Sequence, residues 1–171
     1  MQVNCYERVL ISLYALNSKK NRVTRRQLST YVFIADTVAG FSLPHTIELF
    51  PDGVEYSLAN LSIDLLSSLG YLTIVNGLLE ISINGAKRVE EILTNPDYKQ
   101  ARIYYRLISR LTNLDFDKVM TIASYFLAQK SGISDAEFPR EIRDLVNDLM
   151  SILKTFRREE LLVEKVKDEV T

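Results

Sequence analysis

The dipeptide Asn76-Gly77 constrains this chain more than any other feature. It separates two short apolar runs, Leu72 to Val75 and Leu78 to Ile81. Asn-Gly between such runs is the strongest short-range hairpin signal, because both turn residues must adopt positive φ. Upstream, Ser57 to Leu69 carries Leu58, Leu61, Leu65, Leu66 and Leu69 at helical spacing and stops at Gly70, a glycine suited to the left-handed position that closes a helix. Downstream, Asn84-Gly85 turns the chain into a helix with Ala86, Val89, Ile92 and Leu93 on its inner face. Helix, two-stranded wing, helix in this order predicts a winged-helix domain.

The segment before the wing adds two helices and an unusual connection. Tyr6, Val9, Leu10, Leu13, Tyr14 and Leu16 make Cys5 to Leu16 an amphipathic helix. Thr24-Arg25-Arg26-Gln27 has the form of a capping box and starts a second helix, the Thr and Gln side chains each serving the other residue's backbone N–H. Leu28, Tyr31, Val32 and Ala35 point inward on that helix, which should stop before Gly40. Pro44 and Pro51 then preclude a continuous helix. His45 to Phe50 alternates as a short strand, and Pro51-Asp52-Gly53 reads as a turn. A DNA-reading helix-turn-helix joins its helices by about three or four residues. The gap from Gly40 to Ser57, where Ser57 is expected to cap the third helix, is several times longer.

Asn95-Pro96-Asp97 marks a candidate boundary, and the chain beyond it is helical. Asp97 can cap a helix to about Thr112, Asp115 can cap one from Phe116 to about Lys130, and Pro139 opens a long last helix. The expected fold class is mainly α with a small β wing (α+β): a winged-helix domain over residues 1–95 and a helical extension over 96–171 packed upon it. In the last helix a seven-residue spacing runs through Ile142, Leu149, Phe156, Val163 and Val170, with Leu145, Ile152, Glu159 and Val166 three positions on. That pattern is a coiled-coil-like seam spoiled at one position. Ile142 to Phe156 is expected to pack internally or across a homodimer, with Ile142, Leu145, Leu149, Ile152, Phe156, Val163 and Val166 as the candidate dimer seam.

Three stretches carry a family resemblance: HTIELFPDGVEYSLANL at the strand, turn and helix start, LLSSLGYL at the helix end, and ISINGAKRVEEIL after the wing. Over about residues 5 to 95 the chain resembles the YwgA-like winged-helix family. The resemblance implies a winged-helix fold and work as an accessory or antitoxin-type partner as readily as a DNA reader. The chain departs from that family in having Pro51-Asp52-Gly53-Val54 where a Gly-Pro-type turn is expected. No functional residue is carried over.

Charge decides the functional expectation. From Gln27 to Ala86 there is no Lys or Arg, while Asp36, Glu48, Asp52, Glu55, Asp64 and Glu80 supply six acids. A base-reading helix needs Arg, Lys, Asn or Gln donors, and phosphate contacts need cations. The third helix offers Asn60, several serines and Asp64. The net charge of −1 gives no overall attraction to nucleic acid. Two basic clusters remain as a candidate surface for an anion or acidic partner. Lys19, Lys20, Arg22, Arg25 and Arg26 surround the start of the second helix, where cations sit unfavourably at the positive end of the dipole. Lys99, Arg102, Arg106 and Arg110, spaced +3, +4, +4, form one stripe on the fifth helix.

Catalytic and metal residues are expected to be none. His45 is the sole histidine and Cys5 the sole cysteine, and neither a Walker-type loop nor GxGxxG occurs. No cofactor or small-molecule substrate is expected. One cysteine leaves no internal disulfide, no run reaches the roughly 18 apolar residues of a membrane span, and the N-terminus lacks a signal-peptide pattern, so a cytoplasmic location is expected. The expected function is non-enzymatic: a winged-helix protein acting through protein contacts, regulatory or accessory to a nucleoprotein system. The alternative is a DNA-binding transcription regulator that touches phosphates through the basic clusters rather than the third helix.

Overall fold

The structure is a computed structural model that describes residues 2–41 and 46–170, with side chains described as far as residue 157. In chain order the elements are α1 (Cys5–Ser18), β1 (Val23–Thr24), α2 (Arg25–Ala39), β2 (Ile47–Phe50), β3 (Gly53–Tyr56), α3 (Ser57–Ser68), β4 (Leu72–Val75), β5 (Leu78–Ile81), α4 (Ile83–Thr94), α5 (Lys99–Leu111), α6 (Phe116–Lys130), a 3-10 turn (Asp135–Glu137) and α7 (Arg140–Val170). The protein is mainly α with a small β wing.

Local chemistry sets most boundaries. Asn4 and Glu7 form a capping box on α1, and Thr24 and Gln27 form the expected one on α2. Asp115 accepts from the Lys118 N–H at 2.9 Å and starts α6. Three expected starts are corrected. Ser57 does not cap α3: β3 runs straight into the helix, Ser57 is its first residue, and the N-cap Tyr56 contributes no side-chain bond. Tyr98, not Asp97, precedes α5. The Asn95 side chain instead turns the chain there by accepting from the Asp97 N–H at 2.9 Å. Helix α4 begins at Ile83, because Ser82 caps it by accepting from the Gly85 N–H. Gly85 therefore lies inside the helix, where a Cβ would stand 2.1 Å from the Tyr71 carbonyl oxygen.

The wing forms as expected: β4 and β5 pair antiparallel with Ile74 opposite Leu79, turning through positive φ at Asn76 and Gly77. Two strands have no clear sequence signal. The two-residue β1 pairs with β5, giving the sheet order β1-β5-β4. The β3 strand comes after the Pro51-Asp52 turn and pairs antiparallel with β2. That hairpin is fastened to α2 by Thr30, whose hydroxyl donates to the Arg26 carbonyl and accepts from the Val54 N–H, both at 2.8 Å.

One continuous core joins Leu10 and Leu13 of α1, Phe33 and Ile34 of α2, Leu66 of α3, Leu107 and Ile108 of α5, Ile122 of α6 and Leu149 of α7. Residues on both sides of Asn95-Pro96-Asp97 thus share one interior. At its centre Asp36 is fully buried. It accepts from Arg8 Nε at 2.8 Å and Nη2 at 3.2 Å, from the Tyr56 hydroxyl at 2.9 Å and from the Tyr104 hydroxyl at 3.0 Å. The Arg8 guanidinium also lies over the Phe41 ring at 3.9 Å and donates to the Val3 carbonyl. A buried charge persists only when paired and hydrogen-bonded in this way.

Candidate functional site

The basic loop and the Lys/Arg-free segment neutralise each other. Arg22 pairs with Glu80 at 3.1 Å, Arg25 with Asp64 at 2.6 Å, and Arg26 with Asp52 at 2.6 Å and Glu55 at 3.2 Å. With Asp36 held by Arg8, five of the segment's six acids pair, among the described residues, with cations from α1, the loop before α2 or the first turn of α2. The hydrogen bond from Arg26 holds the Asp52 carboxyl below its ordinary pKa. Arg26 also lies over the Phe50 ring at 4.2 Å. The cations at the positive end of α2 therefore meet carboxylates of their own chain. They line a hollow of about 430 Å³ with Thr24, Asn60 and Ile74.

Helix α3 presents something else outward. It buries Ala59, Ser62, Ile63 and Leu66. Leu61, Leu65 and Leu69, a stripe at i, i+4 and i+8, remain 65%, 45% and 53% exposed. Ile83 is 89% exposed. It adjoins Ser82, whose hydroxyl donates to the carbonyl of Gly70, the residue after Leu69, at 2.7 Å. Arg25 engages α3 at the Asn60 carbonyl and the Asp64 carboxylate. Sequence spacing alone did not divide these leucines between inside and outside. Five leucines on so short a helix span more than one face, and that excess was the available signal.

The second basic cluster lies on α5 and draws in part of the first. Lys19 Nζ donates to the Ser109 carbonyl at 3.1 Å and to Asn113 Oδ1 at 2.6 Å. Arg102 donates to the Asn95 carbonyl at 3.0 Å, Arg106 lies over the Phe156 ring at 5.6 Å, and Arg110 Nε meets Asp148 at 2.6 Å. Lys19, Tyr105, Arg106, Ser109, Arg110 and Asn113 face Ser151, Ile152 and Thr155 of α7 across a cleft of about 400 Å³. Lys20 lies apart, beside Arg22 and Glu80. Lys99 opens α5 next to Phe41 and Arg157.

Of the candidate seam on α7, Ile142, Leu149 and Phe156 are buried within this chain, and Leu145 and Ile152 are half-buried against its core. The side chains of Val163 and Val166 lie outside the described residues, as does His45. Cys5 is a half-buried thiol. Among the described residues no three His, Cys, Asp or Glu side chains gather to hold a metal ion, and no helix is long and apolar enough to cross a membrane. No protein-family model, curated protein or solved structure matches this chain.

Proposed function

We propose that this is a non-enzymatic winged-helix protein of the YwgA-like kind that acts through protein contacts, regulatory or accessory to a nucleoprotein system. The sheet order β1-β5-β4 around α2 and α3 supports the winged-helix reading. The exposed stripe Leu61, Leu65 and Leu69 carries the functional one. In a DNA reader the corresponding helix presents hydrogen-bond donors to base edges and cations to phosphates. Here it presents apolar side chains that gain by leaving water. The occupant we assign is a second copy of the chain. A stripe without charge is self-complementary across a two-fold axis. The sole charged side chain of α3, Asp64, is paired with Arg25.

The alternative, phosphate contact through basic clusters outside α3, loses Arg22, Arg25 and Arg26 to internal carboxylates. Sedimentation velocity tests the main reading. The expected result is a dimer that Leu61→Glu with Leu65→Glu converts to a folded monomer, together with no duplex affinity at low salt. A concentration-independent monomer mass for the unaltered protein overturns it.

A further inference from the structure

Strand β4 ends the sheet β1-β5-β4, and among the described residues no strand pairs with its free side. Two hydrogen bonds show which backbone groups face that side. The Tyr71 carbonyl accepts from the Ser82 N–H at 3.0 Å, toward the β5 side, whereas the Ile81 N–H donates to Asn17 Oδ1 of α1 at 2.8 Å. Residues opposite each other in an antiparallel ladder alternate between pairs that exchange hydrogen bonds and pairs that turn away from one another. Leu72 lies opposite Ile81, and Ile74 lies opposite Leu79, which pairs with Val23 of β1 on its other side. Leu72 and Ile74 therefore turn their N–H and C=O groups away from β5, to the open edge. We propose that this edge pairs antiparallel with β4 of a second copy, joining the two wing sheets into one. The inference takes from the proposed function only that the partner is a second copy, and it does not depend on the leucine stripe.

Edge strands are ordinarily guarded by charge, proline, a bulge or a covering element. Leu72-Thr73-Ile74-Val75 contains no charge and no proline. Its register with β5 is unbroken, and Thr73, Ile74 and Val75 are exposed. The strand is also complementary to itself. With Leu72 set opposite Ile74 of the second copy, a two-fold axis passes between the two Thr73 residues. Both Leu72–Ile74 pairs then exchange their hydrogen bonds, and every edge-facing group of the two residues is used. Ile74 shares a sheet face with Leu72 and Leu79, each 1% exposed, yet is itself 45% exposed. In this register it gains Leu72 of the second copy as its neighbour. Thr73 meets Thr73, a favourable cross-strand pair. Glu80, the neighbour of Thr73 on β5, is paired with Arg22. The two Glu80 residues stand three strand spacings apart, about 14 Å, so no like charges face each other across the join.

Disulfide cross-linking of the full chain in a Cys5→Ser background tests the register. Directly opposed residues that do not exchange hydrogen bonds have Cα atoms about 4.5 Å apart, within the range of about 4.4–6.8 Å that a disulfide spans. Thr73→Cys should therefore form a covalent dimer under oxidised glutathione. Val75→Cys should not, because the two copies of that position are offset by about 13 Å along the strands. Sedimentation velocity supplies a second readout. Ile74→Pro removes an edge-facing N–H that the β4–β5 ladder does not use and should weaken the dimer at least tenfold. Thr73→Lys sets like charges opposite each other and should weaken it severalfold. Circular dichroism establishes that each variant is folded. Absence of the Thr73→Cys link overturns the proposal, as do equal linking at both positions and a dimer that neither Ile74→Pro nor Thr73→Lys weakens. A dimer lost in Leu61→Glu with Leu65→Glu but never linked by Thr73→Cys keeps the stripe and removes the strand pairing. A dimer that survives those leucine changes and is linked by Thr73→Cys does the reverse, so the two readings fail separately.

Discussion

Arg8 and Asp36 form a buried two-point ion pair, Nε and Nη2 lying 2.8 and 3.2 Å from the two carboxylate oxygens. The pair sits where α1, α2, β3 and α5 meet, with Tyr56 and Tyr104 supplying the other two hydrogen bonds. Its removal from one side should be severe. Asp36→Ala leaves a guanidinium without its counter-charge in the core and is expected to cost about 3–5 kcal/mol in urea unfolding. Replacing both partners, with Arg8→Met and Asp36→Leu, should cost clearly less than Asp36→Ala alone. A double variant as unstable as Asp36→Ala would mean that the damage comes from packing and not from the unpaired charge.

The same tyrosines make stability sensitive to alkali. Burial raises the Tyr56 hydroxyl pKa above its ordinary 10.0, and the Asp36 charge raises it further. Tyr104 shifts the same way for the same reasons. An unfolded chain releases these protons near pH 10, while the folded chain keeps them. The stabilisation is therefore complete below about pH 10 and declines as pH rises beyond it. Each such tyrosine should contribute a slope of about 1.4 kcal/mol per pH unit. Urea titrations across that range should show a shallower decline in Tyr56→Phe and Tyr104→Phe than in the parent.

The two faces of α3 should respond oppositely to substitution. Leu66→Ala removes buried methyl groups and is expected to cost about 2–5 kcal/mol. Leu61→Ser, on the exposed stripe, should change monomer stability by no more than about 0.5 kcal/mol. Chemical denaturation at low protein concentration separates this from any effect on association.

Gly85 is fixed by a contact rather than by its turn. Gly85→Ala would press a methyl group against the Tyr71 carbonyl. With both segments tied by the Ser82 hydroxyl, the expected loss is about 3 kcal/mol, read as a lowered unfolding midpoint. Asn84→Ala, next in sequence and exposed, should have little effect.

What the sequence revealed was mostly local. The Thr24–Gln27 box, the Asp115 cap, the Asn76-Gly77 turn and the Gly70 stop each depend on residues within a few positions, and each stands in the structure. What it hid depends on pairs far apart. Strand β1 exists only because β5 lies beside it. Arg26 looked like a cation in search of an anion until the β2–β3 hairpin brought Asp52 and Glu55 to it. Lys19 joined the α5 stripe across ninety residues of chain. The exposed leucines were hidden for another reason: spacing finds the apolar positions of a helix, but only the neighbours decide how many of its faces are covered.

The meeting of four elements on the Asp36 carboxylate also bears on how the molecule comes apart. Tyr104 reaches it from beyond Asn95-Pro96, while Arg8 and Tyr56 reach it from before. Proteolytic nicking at that junction should yield fragments that stay together until denatured. Expressed separately, neither fragment would have the partner that closes its interior. The candidate boundary in the sequence lies between segments that share one interior.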